Sequence, residues 1–158
     1  KDMTGSVIGP FESFLILRGL KTLAVRMDRH CDNAEKVVDY LRRQPKVTTL
    51  YFPGLPGHPN HAVAKKQMAR YGAMIAFEVA GGKEAAAKLL NVMQLCTIAV
   101  SLGDAETLVE HPATMTHSTY TPEELAAAGL SEGLVRMSVG LENVEDIIAD
   151  LEQAFSQI

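Results

Sequence analysis

Two short apolar runs set the tightest limit on what this chain can fold into. Ala73 to Val79 is apolar nearly throughout, and Leu134 to Val139 is a second such run, interrupted by Arg136 and Ser138. Runs of this length are strands, and the first predicts a strand covered on both faces. Around them lie segments with helical spacing. Phe11, Phe14, Leu15, Leu17, Leu20, Leu23, Ala24 and Met27 lead into Ala34, Val37, Val38 and Leu41, and the pattern stops before Pro45. Gly19 marks a kink or a break between two helices. Glu84 to Val92 is helical. Behind Asn143, a capping residue, Val144, Ile147, Ile148, Leu151, Ala154 and Phe155 form one buried stripe. Strands interleaved with helices predict an α/β sandwich, a small mixed or mostly antiparallel sheet with helices packed on it and long helices preceding it.

The shorter elements fit between these. Val47 to Phe52 is a strand by its β-branched and aromatic content, and Pro53 to Pro59 is a loop. Asn60 is a candidate cap for a helix over Ala62 to Met68. Thr97 to Val100 is a short strand delivering Ser101 to a loop, and Thr107 to Glu110 is another. Pro122 opens a short helix that Gly129 ends.

The chain's 158 residues suffice for one domain with a real core. A net charge of −4 without a basic patch argues against nucleic acid as a partner. No apolar stretch approaches the ~20 residues of a membrane span. Lys1 to Ser6 has no cleavable apolar core, and two cysteines are too few for a disulfide framework, so a cytoplasmic setting is expected. Without an initiator methionine, the chain is expected to be part of a longer one. The histidines do not complete a metal set: His111 and His117 are separated by Pro112 and a loop, with no cysteine or carboxylate joining them convincingly. Gly81-Gly82 is a turn, since its spacing does not suit a phosphate cradle. Cys96 reads as a core thiol.

The chemistry concentrates in one residue. Arg136 interrupts an apolar strand, where an unpaired guanidinium is costly, so it needs an anion. Its planar fork suits a carboxylate in bidentate fashion. Ser101, before Leu102 and Gly103, offers a hydroxyl and nearby backbone N–H groups to the same anion. The rival reading makes Arg136 a structural residue paired with Glu142 or Asp104.

The order Val100-Ser101-Leu102-Gly103-Asp104, then Met115-Thr116-His117, then Leu134 to Glu142 resembles the pyridoxal-phosphate-dependent enzymes of cysteine and methionine metabolism. Arg18 to Leu23 with Arg26 to His30, and Tyr51 to Leu55 with His58-Pro59, extend the likeness over essentially the whole chain. The resemblance implies the carboxyl-terminal domain of a fold-type I enzyme. Residues 1–22 would be the tail of the cofactor-binding domain and residues 23–158 the carboxyl-terminal domain. It implies that Arg136 pairs with the substrate's α-carboxylate and that Ser101 helps hold it. Thr116, Met115 and Leu102 would line the pocket, with Lys1 and Asp2 in a polar network beside the substrate. Lys1-Asp2 and Asp104 lean toward the members that cleave L-methionine to methanethiol, ammonia and 2-oxobutanoate. Alternatives within the family are cystathionine gamma-lyase, cystathionine gamma-synthase and O-acetylhomoserine sulfhydrylase. A non-catalytic oligomerisation or binding module is the alternative outside it. The implied cofactor is pyridoxal phosphate, and the implied partners are a sulfur amino acid, the chain's own amino-terminal domain and further copies in a homotetramer. The family's cofactor-binding lysine lies upstream in a Ser-x-Thr-Lys-type motif absent here, so the segment alone is expected to be inactive and to bind the cofactor weakly or not at all.

Overall fold

A computed structural model describes residues 7–158. The chain enters through α1 (Pro10–Leu20), breaks at Lys21 and Thr22, and continues as α2 (Leu23–Leu41). Gly19 remains inside α1, so the expected interruption falls two residues later. β1 (Val47–Tyr51), α3 (His61–Gln67), β2 (Met74–Val79) and α4 (Gly82–Asn91) follow. β3 (Thr97–Ile98) and β4 (Leu108–Glu110) flank the Ser101 loop. A 3-10 turn over Pro112–Thr114, α5 (Pro122–Ala127), β5 (Leu134–Ser138) and α6 (Val144–Ser156) complete the chain. Asn60 flanks α3, but its side chain makes no capping hydrogen bond. Asn143 does cap α6, accepting from Glu145 N at 3.2 Å.

The strands form one sheet in the order β1-β2-β5-β4-β3. The β1–β2, β2–β5 and β4–β5 pairs are antiparallel and only β3–β4 is parallel. One face of the sheet carries Ile75, Phe77, Val79, Val109, Val135 and Met137, all buried. Against it pack Ala34, Val37, Val38 and Leu41 of α2, Ala86, Leu89 and Leu90 of α4, and Ile147, Leu151, Ala154 and Phe155 of α6. Three helices on one face of a five-stranded sheet make a two-layer sandwich.

β2 is not covered on both faces as its composition predicts. Its residues alternate: Ile75, Phe77 and Val79 are buried, whereas Met74 is exposed and Ala76 and Glu78 are half-buried. Glu78 already breaks the apolar run. Its carboxylate accepts from Tyr51 Oη at 2.7 Å on the side away from the core. The second face carries a row across three strands, in which Ala76 opposes Arg136 and Arg136 opposes Glu110. Strand alternation therefore takes Arg136 out of the helix-packed core and sets it on the opposite face, which is covered over Leu108, Glu110 and Ser138 and open over Met74.

α1 departs further from expectation. None of its residues is buried, although Phe11, Phe14, Leu15, Ile16, Leu17 and Leu20 are large and apolar. With Leu23, Val25 and Met27 they put nine large apolar side chains at the surface within seventeen residues, far beyond scattered exposure.

Candidate functional site

The Arg136 guanidinium reaches across β4 to the loop after β3. Its Nη2 donates to the carbonyls of Val100 at 3.1 Å and Ser101 at 3.0 Å. The same nitrogen lies 2.7 Å from Glu110 Oε2. Glu110 is fully buried and neither of its oxygens has an aligned hydrogen-bond partner. The short contact is thus charge against charge, with the two Nη2 protons directed at the carbonyls. The Arg136 side chain keeps 26% of its surface exposed, so it borders solvent rather than the core. Among the described residues, Nε and Nη1 have no partner. They retain donors for an external anion.

Arg136 therefore does have an internal acid beside it, but not either of the two expected. Glu142 instead accepts from Thr107 N at 2.5 Å and from Thr107 Oγ1 at 2.9 Å. Asp104 Oδ1 accepts from the next residue's N–H, Ala105 N, at 2.6 Å.

The Ser101 loop is fastened at several points along its length. Gly103, with a left-handed φ of +78°, donates its N–H to Ser138 Oγ at 2.8 Å. Leu141 N donates to Ala105 O at 2.7 Å, and Gly140 N donates to Thr107 Oγ1 at 2.9 Å. Sequence reasoning missed Thr107, Ser138 and Glu110 as parts of the site, and named Glu142 only as a rival partner for Arg136. The polar residues of Leu134 to Glu142 and the acid inside the Thr107 to Glu110 strand were the available signals.

Gly140 sits where this loop crosses the end of β5. A Cβ there would lie 2.5 Å from both Ala105 O and Thr107 N and would strike the Glu142 carboxylate. Two of those atoms are backbone, so relief requires the loop to shift. Gly140→Ala in the full-length protein is expected to cost about 2–3 kcal/mol. The checks are a fall in thermal midpoint and a rise in KM for the amino-acid substrate. An unchanged KM would separate this crossing from the site.

The other expected pocket residues are placed less directly. Leu102 shares the loop with Ser101, and both are exposed. Ser101 Oγ has no hydrogen-bond partner among the described residues. Thr116 and Met115 belong to the turn after the 3-10 segment, which packs against β5. Thr116 Oγ1 lies 3.0 Å from His117 Nδ1, and Met115 Sδ accepts from His111 N at 3.4 Å. Neither residue hydrogen-bonds Arg136 or Ser101. Lys1 and Asp2 lie outside the described residues.

Other reactive groups stand apart from this site. Cys96 is buried in the core, and burial, with the Asp150 charge beside it, pushes its thiol up, so it stays protonated and inert. His111 is buried with Nδ1 2.8 Å from Thr114 Oγ1 and Nε2 2.7 Å from Glu132 O, a tie between two loops. The described lysines belong to the helices, their junction and the foot of β1. Lys46, for example, donates to Phe155 O at 2.8 Å and to Ile158 O. A concavity of about 730 Å³ runs along α1 beside Phe14, Leu17 and Leu20 and shares no residue with the Arg136 site. What remains is a guanidinium with free donors and an exposed hydroxyl on a pinned loop. That arrangement can grip a carboxylate. Among the described residues it includes no lysine to carry pyridoxal phosphate.

Comparison with known proteins gives a consistent picture. The sequence pattern of the Cys/Met metabolism PLP-dependent enzymes matches residues 1–156. The chain is 61% identical over 158 residues to an L-methionine gamma-lyase of Fusobacterium nucleatum subsp. polymorphum, covering all of this chain and 40% of that protein. It is 48% identical over 154 residues to a cystathionine beta-lyase of Coxiella burnetii, covering 98% of this chain and 40% of that one. The crystal structure of a cystathionine gamma-lyase from Micromonospora echinospora superposes with a TM-score of 0.91 at 43% identity, over 98% of this chain and 40% of that one. The chain thus spans about two fifths of the length of the relatives it matches.

Proposed function

The chain belongs to the Cys/Met metabolism PLP-dependent enzyme family, and we propose that it is the carboxyl-terminal part of a methionine gamma-lyase. The reaction is α,γ-elimination of L-methionine to methanethiol, ammonia and 2-oxobutanoate. The observation that carries the choice within the family is the identity gradient. At similar coverage, identity is 61% to the methionine gamma-lyase and 48% to the cystathionine beta-lyase.

In this reading the chain supplies the acid end of the substrate site. Arg136, through Nε and Nη1, holds the α-carboxylate, and Ser101 Oγ adds a donor from the loop. Two fixed points on one carboxylate restrict rotation of the amino acid. The Cα–H bond is then held in a defined direction, which is where orientation lowers the barrier. When bound, pyridoxal phosphate supplies the electron sink that the α-carbon needs. The groups that hold it lie outside this chain. Leu102, Met115 and Thr116 form part of the wall around the substrate's side chain, and Lys1 and Asp2 belong to the same surroundings.

The division at 22/23 separates the tail of the cofactor domain from the carboxyl-terminal domain. The apolar face of α1 is covered by the amino-terminal part of the full-length chain. The assembly is a homotetramer in the cytoplasm. For the described residues, no helix is long and apolar enough to cross a membrane.

The test is an assay of the full-length protein with methionine and with cystathionine. Methanethiol release at a kcat/KM above that for cystathionine is expected. Rapid cystathionine turnover with negligible methanethiol assigns the chain to the cystathionine enzymes instead.

A further inference from the structure

Glu110 is the least explained group near the site. Its carboxylate is 1% exposed, and both oxygens lack a hydrogen-bond partner among the described residues. A buried carboxylate left this way is expensive, and such groups in a folded protein call for a functional explanation. Its counter-charge among the described residues is Arg136 Nη2 at 2.7 Å, and that nitrogen's protons already serve Val100 O and Ser101 O. Glu110 therefore acts on the guanidinium through charge without consuming any of its donors.

We infer that Glu110 is a positioning residue that sets how tightly the site grips carboxylates. It offsets the guanidinium's charge from the Nη2 side, while Nε and Nη1 have no hydrogen-bond partner among the described residues. An incoming acid then meets an ion pair rather than a bare cation. This matters to turnover because the keto-acid product carries the same carboxylate as the substrate. A site with an uncompensated arginine would hold both more firmly. The inference rests on the reading of Arg136 as the carboxylate site.

The test uses the full-length, cofactor-loaded protein. Glu110→Gln keeps the side-chain shape and an acceptor oxygen but removes the charge. Competitive inhibition by butyrate, a carboxylate without an amino group, is the direct readout. Its Ki is expected to fall roughly tenfold, as removal of a unit charge a few ångströms away dictates. The KM for methionine is expected to fall with it. Glu110→Met, an apolar side chain of similar length, gives the same direction should the Gln variant fold poorly, and Glu110→Asp, which keeps the charge, stays near the parent Ki. An unchanged Ki in both neutral variants, or weaker butyrate binding in both, overturns the inference. Failure of the underlying reading looks different: Arg136→Ala then leaves the butyrate Ki where it was.

Discussion

In the full-length protein, Arg136→Ala is expected to lower kcat/KM for methionine by several hundredfold, mostly through KM. Two charge-assisted hydrogen bonds to the substrate carboxylate disappear, each worth about 1.5–3 kcal/mol. A total near 3–4 kcal/mol corresponds to a factor of a few hundred. The change reaches beyond the substrate, because Glu110 is left buried without its one counter-charge. An orphaned buried charge destabilises, although water entering beside the truncated side chain offsets part of that cost. The Val100 and Ser101 carbonyls also lose their donor, so the loop slackens. Arg136→Lys keeps the charge but not the fork and is expected to fall between the two. Steady-state kinetics with methionine, read beside the thermal midpoint, check both effects. A KM close to that of the parent would contradict the assignment.

Asp150→Ala is expected to be the most damaging substitution for stability. Asp150 sits on α6 and its carboxylate accepts from Gln94 N at 2.8 Å, Leu95 N at 2.9 Å and Cys96 N at 2.9 Å. Gln153 Nε2 adds a fourth bond at 3.0 Å. Those backbone groups end the turn between α4 and β3, so one side chain fixes the sheet edge to the helix layer. Removing it leaves up to three N–H donors without their acceptor, a cost of about 3 kcal/mol. That predicts a thermal midpoint lower by roughly 3–4 °C, measured on the full-length protein. The pH dependence has a definite sign. Burial pushes the Asp150 carboxyl up, but its four hydrogen bonds outweigh burial and hold it below the usual carboxylate range. Its contribution is fully present above about pH 4 and is lost as pH falls through the depressed value. The midpoint difference between parent and variant should therefore be constant near neutrality and shrink only in strong acid. A difference already vanishing near pH 6 would locate the acid sensitivity elsewhere.

Local pattern revealed most of the layers. The stripe on α6 with its Asn143 cap, the α2 positions from Ala34 to Leu41 and the apolar β5 all stand as their spacing predicts. Composition misled where burial depends on something outside the segment. α1 has a core-like sequence but no core beneath it, because the described residues contain nothing that covers it. β2 has an apolar composition, yet alternation turns Met74, Ala76 and Glu78 to the face away from the helices, where they are exposed or half-buried. The partner of Arg136 could not be read from proximity in sequence. Glu142 and Asp104 were plausible there, but strand register decides, and β4–β5 pairing sets Glu110 directly opposite. The pairing of Ser101 with Arg136 follows the motif. How the loop between them is fastened depends on Thr107, Ser138 and Glu142, whose bonds span more than thirty residues of chain.

That fastening has a consequence for redesign. The loop backbone is secured through the Val100 and Ser101 carbonyls and the Gly103 N–H, none of which belongs to a side chain that varies. Val100 and Leu102, at 56% and 55% exposed, ride on this rigid rail with their side chains free. Under the proposed assignment, a library randomised at these two positions is expected to alter the substrate's surroundings while the Arg136 contacts to the loop backbone keep their geometry. New leaving-group preferences could then be selected without first rebuilding the grip on the amino acid.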